Sequence, residues 1–187
     1  MKITIISGSP RKQSVTVRVA RFLVKYLQEK YPAHQYNLIA MSDHPLAFVD
    51  KVWSTINDVP EEHKELAQSV FEADAFILVT PEYNGGYSTA LKNLLDHFPK
   101  QSKKVFGIST ASPGAMGGMR AAQQMQNMIC GLFGIPCPNM LLVPAVDKKF
   151  NAESELIEDS FSNNVHTFAN EFVWLAEAVY NSKKAAK

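Results

Sequence analysis

Residues Ala75 to His97 read AFILVTPEYNGGYSTALKNLLDH, and this stretch carries the plan of the whole chain. Ala75 to Val79 is a continuous apolar run, the pattern of a strand whose sheet is covered on both faces. Thr80 and Pro81 close the run, because proline has no N–H for a ladder and fixes φ. Asn84, Gly85 and Gly86 then make a turn. Leu91, Leu94, Leu95 and Phe98 follow at helical spacing.

The same plan repeats in both directions. Strand candidates lie at Ile3 to Ser7, Gln35 to Ile39, Ala75 to Thr80, Lys104 to Ser109 and Pro138 to Pro144. Val19, Phe22, Leu23, Tyr26 and Leu27 form the stripe of the first helix. Phe161, Val165, Phe168, Phe172, Leu175 and Val179 run near a 3.6-residue period through the last. Five strands alternating with five helices make an α/β chain with a parallel sheet. Two doubly wound orders compete, a flavodoxin-like 2-1-3-4-5 and a six-stranded Rossmann sheet; five strands favour the first. The expectation is a three-layer sandwich, with helices on both faces, forming a single domain over residues 1–187. Met41 to Pro60 is the least regular stretch. Its Pro45, Leu46, Phe48, Val52 and Trp53 are more apolar bulk than a plain loop needs. It either covers part of a site, joins a subunit interface or packs locally onto the sheet.

Ligands of open parallel sheets bind beyond the carboxyl ends of the strands, where the strand order reverses. Gly8 follows the first strand, Gly85 and Gly86 the third, and Gly114, Gly117 and Gly118 the fourth. Glycines gathered at one edge of a sheet read as backbone brought close to a ligand. Turn geometry is the plainer alternative for any one loop. The loop GSPRKQSVT places Ser9, Arg11, Ser14 and Thr16 around the first turn of a helix. Free N–H groups and the positive end of the helix dipole favour an anion there, and Arg11 adds a fork suited to phosphate. Ser14 as an N-cap and Arg11 as a solvated charge are the structural readings of the same residues. With one glycine and no GxxxxGK[ST] lysine, the loop is neither a Rossmann fingerprint nor an ATP-hydrolysing loop. Pro81, Glu82, Tyr83, Asn84 and Gly85 suit the polar edge of a flat ring, and Ser112, Pro113 and Gly114 its other side. Together the loops point to a flavin nucleotide.

Other groups read more plainly. Glu82 has no second carboxylate or His at a spacing for acid–base catalysis, so a bond to backbone or to a neighbouring subunit is its expected part. Lys92 and Asp96 form an i, i+4 surface pair. Met125 and Met128 sit at core spacing, whereas Met116 and Met119, beside glycines, stay open between core and ligand surface. His34, His44, His63 and His166 show no metal-ligand spacing, and no nucleophilic triad is legible.

The bulk numbers agree with an ordinary globular protein: 46% hydrophobic, 20% charged and a net charge of +1. So little net charge argues against broad nucleic-acid or acidic-membrane binding. Lys183, Lys184 and Lys187 read as a solvated, frayed helix end. No apolar run approaches the ~20 residues of a membrane-spanning helix, and no signal-peptide pattern precedes the first strand. Cys130 and Cys137 have neither redox-motif nor zinc spacing and read as core or near-core thiols without a disulfide. A cytoplasmic location fits.

The three loops, in this order, resemble the NADPH-dependent FMN reductase family, a flavodoxin-like group that includes quinone, azo-dye and chromate reductases. G-S-x-R-x-x-S is met by Gly8, Ser9, Arg11 and Ser14. T-P-E-Y-N-G followed by L-K-N is met by Thr80 to Gly85 and Leu91 to Asn93. G-G-x-R-A is met by Gly117, Gly118, Arg120 and Ala121. The resemblance implies that Ser9, Arg11, Ser14 and Thr16 hold the FMN phosphate, Thr16 standing where the family often has Asn. It implies that Pro81 to Gly85 line the isoalloxazine ring and that Ser112, Pro113 and Gly114 close its third side. It also implies NADPH or NADH as donor, a small flavin, quinone or similar acceptor served by a ping-pong cycle, and a homodimer or homotetramer. Gly86, Ser88 and Thr89 depart from the family's Ser after Asn-Gly and its Pro-Gly pair, on the substrate side of the pocket. The alternative is a non-enzymatic FMN-binding electron carrier or redox-responsive protein on the same fold. Flavodoxin carriers are usually strongly acidic, with a Ser/Thr-rich phosphate loop.

Overall fold

The computed structural model describes residues 1–185. In chain order its main elements are β1 (Lys2–Ser7), α1 (Val15–Lys30), β2 (Gln35–Ala40), α2 (Lys64–Phe71), β3 (Ala75–Thr80) and α3 (Thr89–Asp96). There follow β4 (Val105–Ala111), α4 (Met119–Gly131), β5 (Ile135–Pro136), β6 (Leu141–Val143), the one-turn α5 (Val146–Lys149) and α6 (Ser162–Ala185). The sheet order is β2-β1-β3-β4-β5, the 2-1-3-4-5 order expected, and every pairing is parallel. Burial follows from position. Every residue of the central β3 and β4 is buried, while β2 at the edge is buried only at Ile39 and Ala40.

The fifth strand differs from expectation. Instead of one strand over Pro138 to Pro144, the chain pairs with β4 twice. β5 lies opposite Val105 and Phe106, and β6 opposite Ser109 to Ala111. The Cys137 N–H still donates to the Phe106 carbonyl at 2.8 Å. Pro138 then has no N–H to give, and the chain leaves the ladder. It rejoins where the Ser109 hydroxyl donates to the Leu141 carbonyl at 3.0 Å. β4 in turn runs to Ala111, which sets Ser112 at the carboxyl edge of the sheet.

Each face carries its own core. Val19, Leu23 and Leu27 of α1 and Val165, Phe168 and Phe172 of α6 pack with Ile3, Ile5 and Ile77 on one side. Leu91, Leu94 and Leu95 of α3 and Met125 and Ile129 of α4 pack with Ile6, Phe76 and Leu78 on the other. Gly107 sits where a Cβ would lie 3.0 Å from both Phe168 and Phe172, so its bare backbone lets α6 close on the sheet.

The irregular stretch after β2 packs locally at two points. Trp53 is buried, its ring 4.4 Å from that of His97, and its N–H donates to the His97 carbonyl at 2.7 Å. The Asn93 amide donates to the Ala47 carbonyl at 2.8 Å and accepts from the Val49 N–H at 3.0 Å. Phe48 between them stays 88% exposed. Both cysteines are free; Cys137 is buried as expected, but Cys130 on α4 is exposed. Met125 is buried and Met128 packs against the same core, while Met116 lies at the surface. α6 continues through Lys183 and Lys184 to Ala185, and Lys187 lies outside the described residues. Among the described residues no helix is long and apolar enough to cross a membrane.

Candidate functional site

The loop between β1 and α1 is held from beneath. The Gly8 N–H donates to the Val79 carbonyl at 2.7 Å, and the Gly8 carbonyl accepts from the Ser88 hydroxyl at 2.5 Å. Ser14 is the N-cap of α1, accepting the Thr16 N–H at 3.1 Å. The structural reading of Ser14 is therefore correct, and it is compatible with the chemical one: a hydroxyl that accepts a capping bond still has its O–H to donate. The Ser9 hydroxyl accepts the Arg11 N–H at 3.4 Å. The exposed Arg11 guanidinium lies 5.0 Å above the Tyr83 ring, which stacks the first loop on the second.

The second loop is a two-residue hairpin. Tyr83 and Gly86 exchange N–H to carbonyl bonds of 2.8 and 3.0 Å around Asn84 (φ 51°) and Gly85 (φ 82°). Positive φ at both central positions is the geometry that Asn-Gly suits. The hairpin consumes the N–H groups of Tyr83 and Gly86, so the donors it leaves for a ligand are those of Glu82, Asn84 and Gly85. Glu82 faces the Arg120 guanidinium on α4 at 3.5 Å. The third loop is tied to the end of the sheet. The Ser112 N–H donates to the Val143 carbonyl, and its carbonyl accepts from the Val146 N–H, both at 3.1 Å.

These loops enclose a cleft of about 350 Å³ at the carboxyl ends of β1, β3 and β4. It brings together Ser9, Arg11, Ser14 and Thr16 from the first loop, Pro81, Glu82 and Tyr83 from the second, and Ser112 and Pro113 from the third. Asn84, Gly85 and Gly114 stand outside its lining, Asn84 and Gly114 being exposed. Gln13 and Asp147 line the cleft without having been read from the sequence. Asp147 follows the last strand at the same edge, but no glycine marks its loop. A larger open groove of about 610 Å³ runs between α3 and α4. Its charged groups include Lys92 and Asp96, which already pair with each other, and it lies on the flank of the sheet instead of at the strand ends.

Three of the clustered glycines, Gly8, Gly117 and Gly118, have a packing or conformational reason of their own. A Cβ on Gly8 would lie 2.9 Å from the Leu91 Cβ, and one on Gly118 would lie 2.8 Å from the Thr110 Cβ. Gly117 and Gly118 also hold φ of +61° and +83°. Helix packing and turn conformation require these residues, and ligand contact is not needed to explain them.

Two buried polar atoms of the cleft residues have no partner among the described residues: Thr16 Oγ1 and Tyr83 Oη. Buried hydroxyls are normally hydrogen-bonded, so each keeps unused hydrogen-bonding capacity. A cation, three hydroxyls and a helix N-terminus gathered at one end suit a phosphate, and the Pro81–Tyr83 wall suits a ring. The residues fit FMN.

Fold and cleft together define a nucleotide-binding α/β protein with a doubly wound sheet. Residues 1–147 match the NADPH-dependent FMN reductase family, and the chain belongs to it. It is thus of the NAD(P)H-dependent FMN reductase type, with FMN and NADPH as the cofactor and donor of its family. It is 28% identical to an FMN-dependent NADPH-azoreductase of Staphylococcus aureus, over 92% of this chain and 94% of that protein. It is also 28% identical to an NADPH azoreductase of Bacillus sp. strain OY1-2, over 86% and 84%. In fold it is similar to the flavoenzyme NAD(P)H:(acceptor) oxidoreductase FerB of Paracoccus denitrificans. That match has a TM-score of 0.77 and 21% identity, over 95% of this chain and 97% of that one.

Proposed function

We propose that the protein is a single FMN-binding domain over residues 1–187 that passes electrons from NAD(P)H to a small acceptor in a ping-pong cycle. The observation that carries this reading is the unpartnered, buried Thr16 Oγ1 in the same cleft as Arg11, at the N-terminus of α1. Bound FMN would supply the redox chemistry between the nicotinamide and the acceptor. The chain's own work is binding and orientation. Ser9, Arg11, Ser14 and Thr16 hold the phosphate, using the hydroxyls, the guanidinium and the helix N-terminus. Pro81, Glu82 and Tyr83 of the cleft wall line the ring, and Asn84 and Gly85, just outside that wall, complete its edge, the N–H groups of Glu82, Asn84 and Gly85 being the donors left by the hairpin. Ser112 and Pro113 close the third side, with the exposed Gly114 just beyond them.

Proton transfer by a protein side chain is not required, and the pairing of Glu82 with Arg120 agrees with a structural part for that carboxylate. The azoreductase names of the relatives make azo compounds, with quinones, the first acceptors to assay. A cytoplasmic homodimer or homotetramer completes the reading. The test is steady-state NADPH oxidation by FMN-loaded protein with an azo dye, a quinone and free FMN as acceptors. Parallel initial-rate lines at varied donor and acceptor are expected. FMN binding without turnover of any acceptor would leave an electron carrier instead.

A further inference from the structure

We infer that Asp147 is the acceptor for the ribityl hydroxyls of the flavin nucleotide, an assignment that rests on the FMN reading above. Asp147 lines the same cleft as Arg11 and Ser112, on the short α5 that follows the last strand. Its place is set by backbone: Val146 donates to the Ser112 carbonyl at 3.1 Å, and Ala145 takes φ of 46° to start the turn. The turn bearing Asp147 is therefore tied to the third loop of the site.

Its carboxylate has acceptor capacity to spare. Its one ion pair among the described residues is a long one, 4.0 Å to Arg18 Nη1, and that same nitrogen donates to the Phe150 carbonyl at 3.4 Å. A carboxylate accepts and cannot donate, so what faces it in the cleft must bring O–H or N–H groups. The phosphate end is excluded, because two anions repel in a cleft whose cation, Arg11, serves the phosphate. FMN is a ring, a polyhydroxyl chain and a phosphate, and the chain between its two ends is rich in O–H donors. Loop one serves the phosphate and loops two and three the ring. Asp147, hung from Ser112, serves the chain between them.

The sign of a substitution separates this role from plain electrostatics. Binding of FMN, riboflavin and lumiflavin, the last lacking the ribityl chain, would be titrated by flavin fluorescence on wild type, Asp147→Ala and Arg11→Ala. Asp147→Ala is expected to weaken FMN and riboflavin alike, by about three- to tenfold, and to leave lumiflavin unchanged. Tighter FMN binding with unchanged riboflavin would show a carboxylate that only repels the phosphate, and would overturn the assignment. An equal loss for lumiflavin would overturn it too, since the third loop itself would then be disturbed. Arg11→Ala, weakening FMN but not riboflavin, keeps the phosphate reading separately testable. Wild-type protein that bound none of the three flavins would sink the FMN reading and this assignment with it.

Discussion

The Ser88 hydroxyl lies 2.5 Å from the carbonyl oxygen of Gly8, joining residues eighty positions apart in the chain. Ser88 also accepts the Leu91 N–H at 3.2 Å as the N-cap of α3, and its own N–H donates to Thr80 Oγ1 at 3.0 Å. One fully buried side chain thus fastens the first loop to the second and to the helix that follows. Ser88→Ala would remove a cap and leave a buried carbonyl unpaired. We expect a loss of about 2–3 kcal/mol in stability, read by urea unfolding, together with weaker FMN binding. Unchanged stability would mean that Ser88 does not hold the two loops together.

Among the described residues, Arg11 is the one full positive charge in the lining of the cleft. Arg11→Ala should weaken FMN binding by about 1.5–3 kcal/mol, the range for hydrogen bonds to charged groups, and more at low salt than at high. Isothermal titration at two ionic strengths checks both parts. Equal FMN affinity in the variant would take Arg11 out of the phosphate site.

Glu82 is the carboxylate most easily mistaken for a catalytic acid. Because it faces Arg120, Glu82→Gln should leave the rate of flavin reduction by NADPH within about tenfold of wild type in stopped flow. A loss of about 10²–10⁴ would be the mark of general acid–base catalysis.

Away from the site, burial pushes the Lys104 ammonium down to about 8 from 10.5, and the nearby Lys183 charge acts in the same direction. Between those two values the unfolded chain binds the proton more fully than the folded one. This group's contribution to stability therefore rises as pH increases through that window, and its penalty is fully present below about pH 8. Lys104→Met removes the penalty, though it also loses the 2.9 Å bond to Gln101. Relative to wild type, the variant should be most favoured at pH 7, and its advantage should shrink by about 1–2 kcal/mol by pH 10.5 after allowance for partial solvation. Unfolding curves at pH 7 and pH 10.5 give the comparison. A constant difference would contradict a shifted Lys104.

Much of this was legible in the chain. The apolar runs Ile3–Ser7 and Ala75–Thr80 could only be covered strands, and the stripes of the first and last helices named their buried faces correctly. Ser14 and Asn84-Gly85 announced a cap and a tight turn through chemistry confined to a few neighbouring residues. The broken fifth strand was harder to see. Pro138 to Pro144 reads as one strand, and only pairing with β4 shows Ile135–Pro136 and Leu141–Val143 on either side of a gap in the ladder. In the sequence Ser88 stands out only as a departure from a family pattern, and the fold makes it the joint between two loops.

The sequence by itself determined the local states: strand, cap, hairpin and amphipathic helix, each set by sterics and hydrogen bonding within a few residues. It also determined the order in which the loops come to the carboxyl edge of the sheet. Only the tertiary structure decided why Gly8 and Gly118 must be glycine, because Leu91 and Thr110 press on them from distant or facing elements. Only it set Asp147 in the cleft, Glu82 against Arg120 and Arg11 over Tyr83. Those relationships depend on packing and charge across space, which spacing along the chain does not encode.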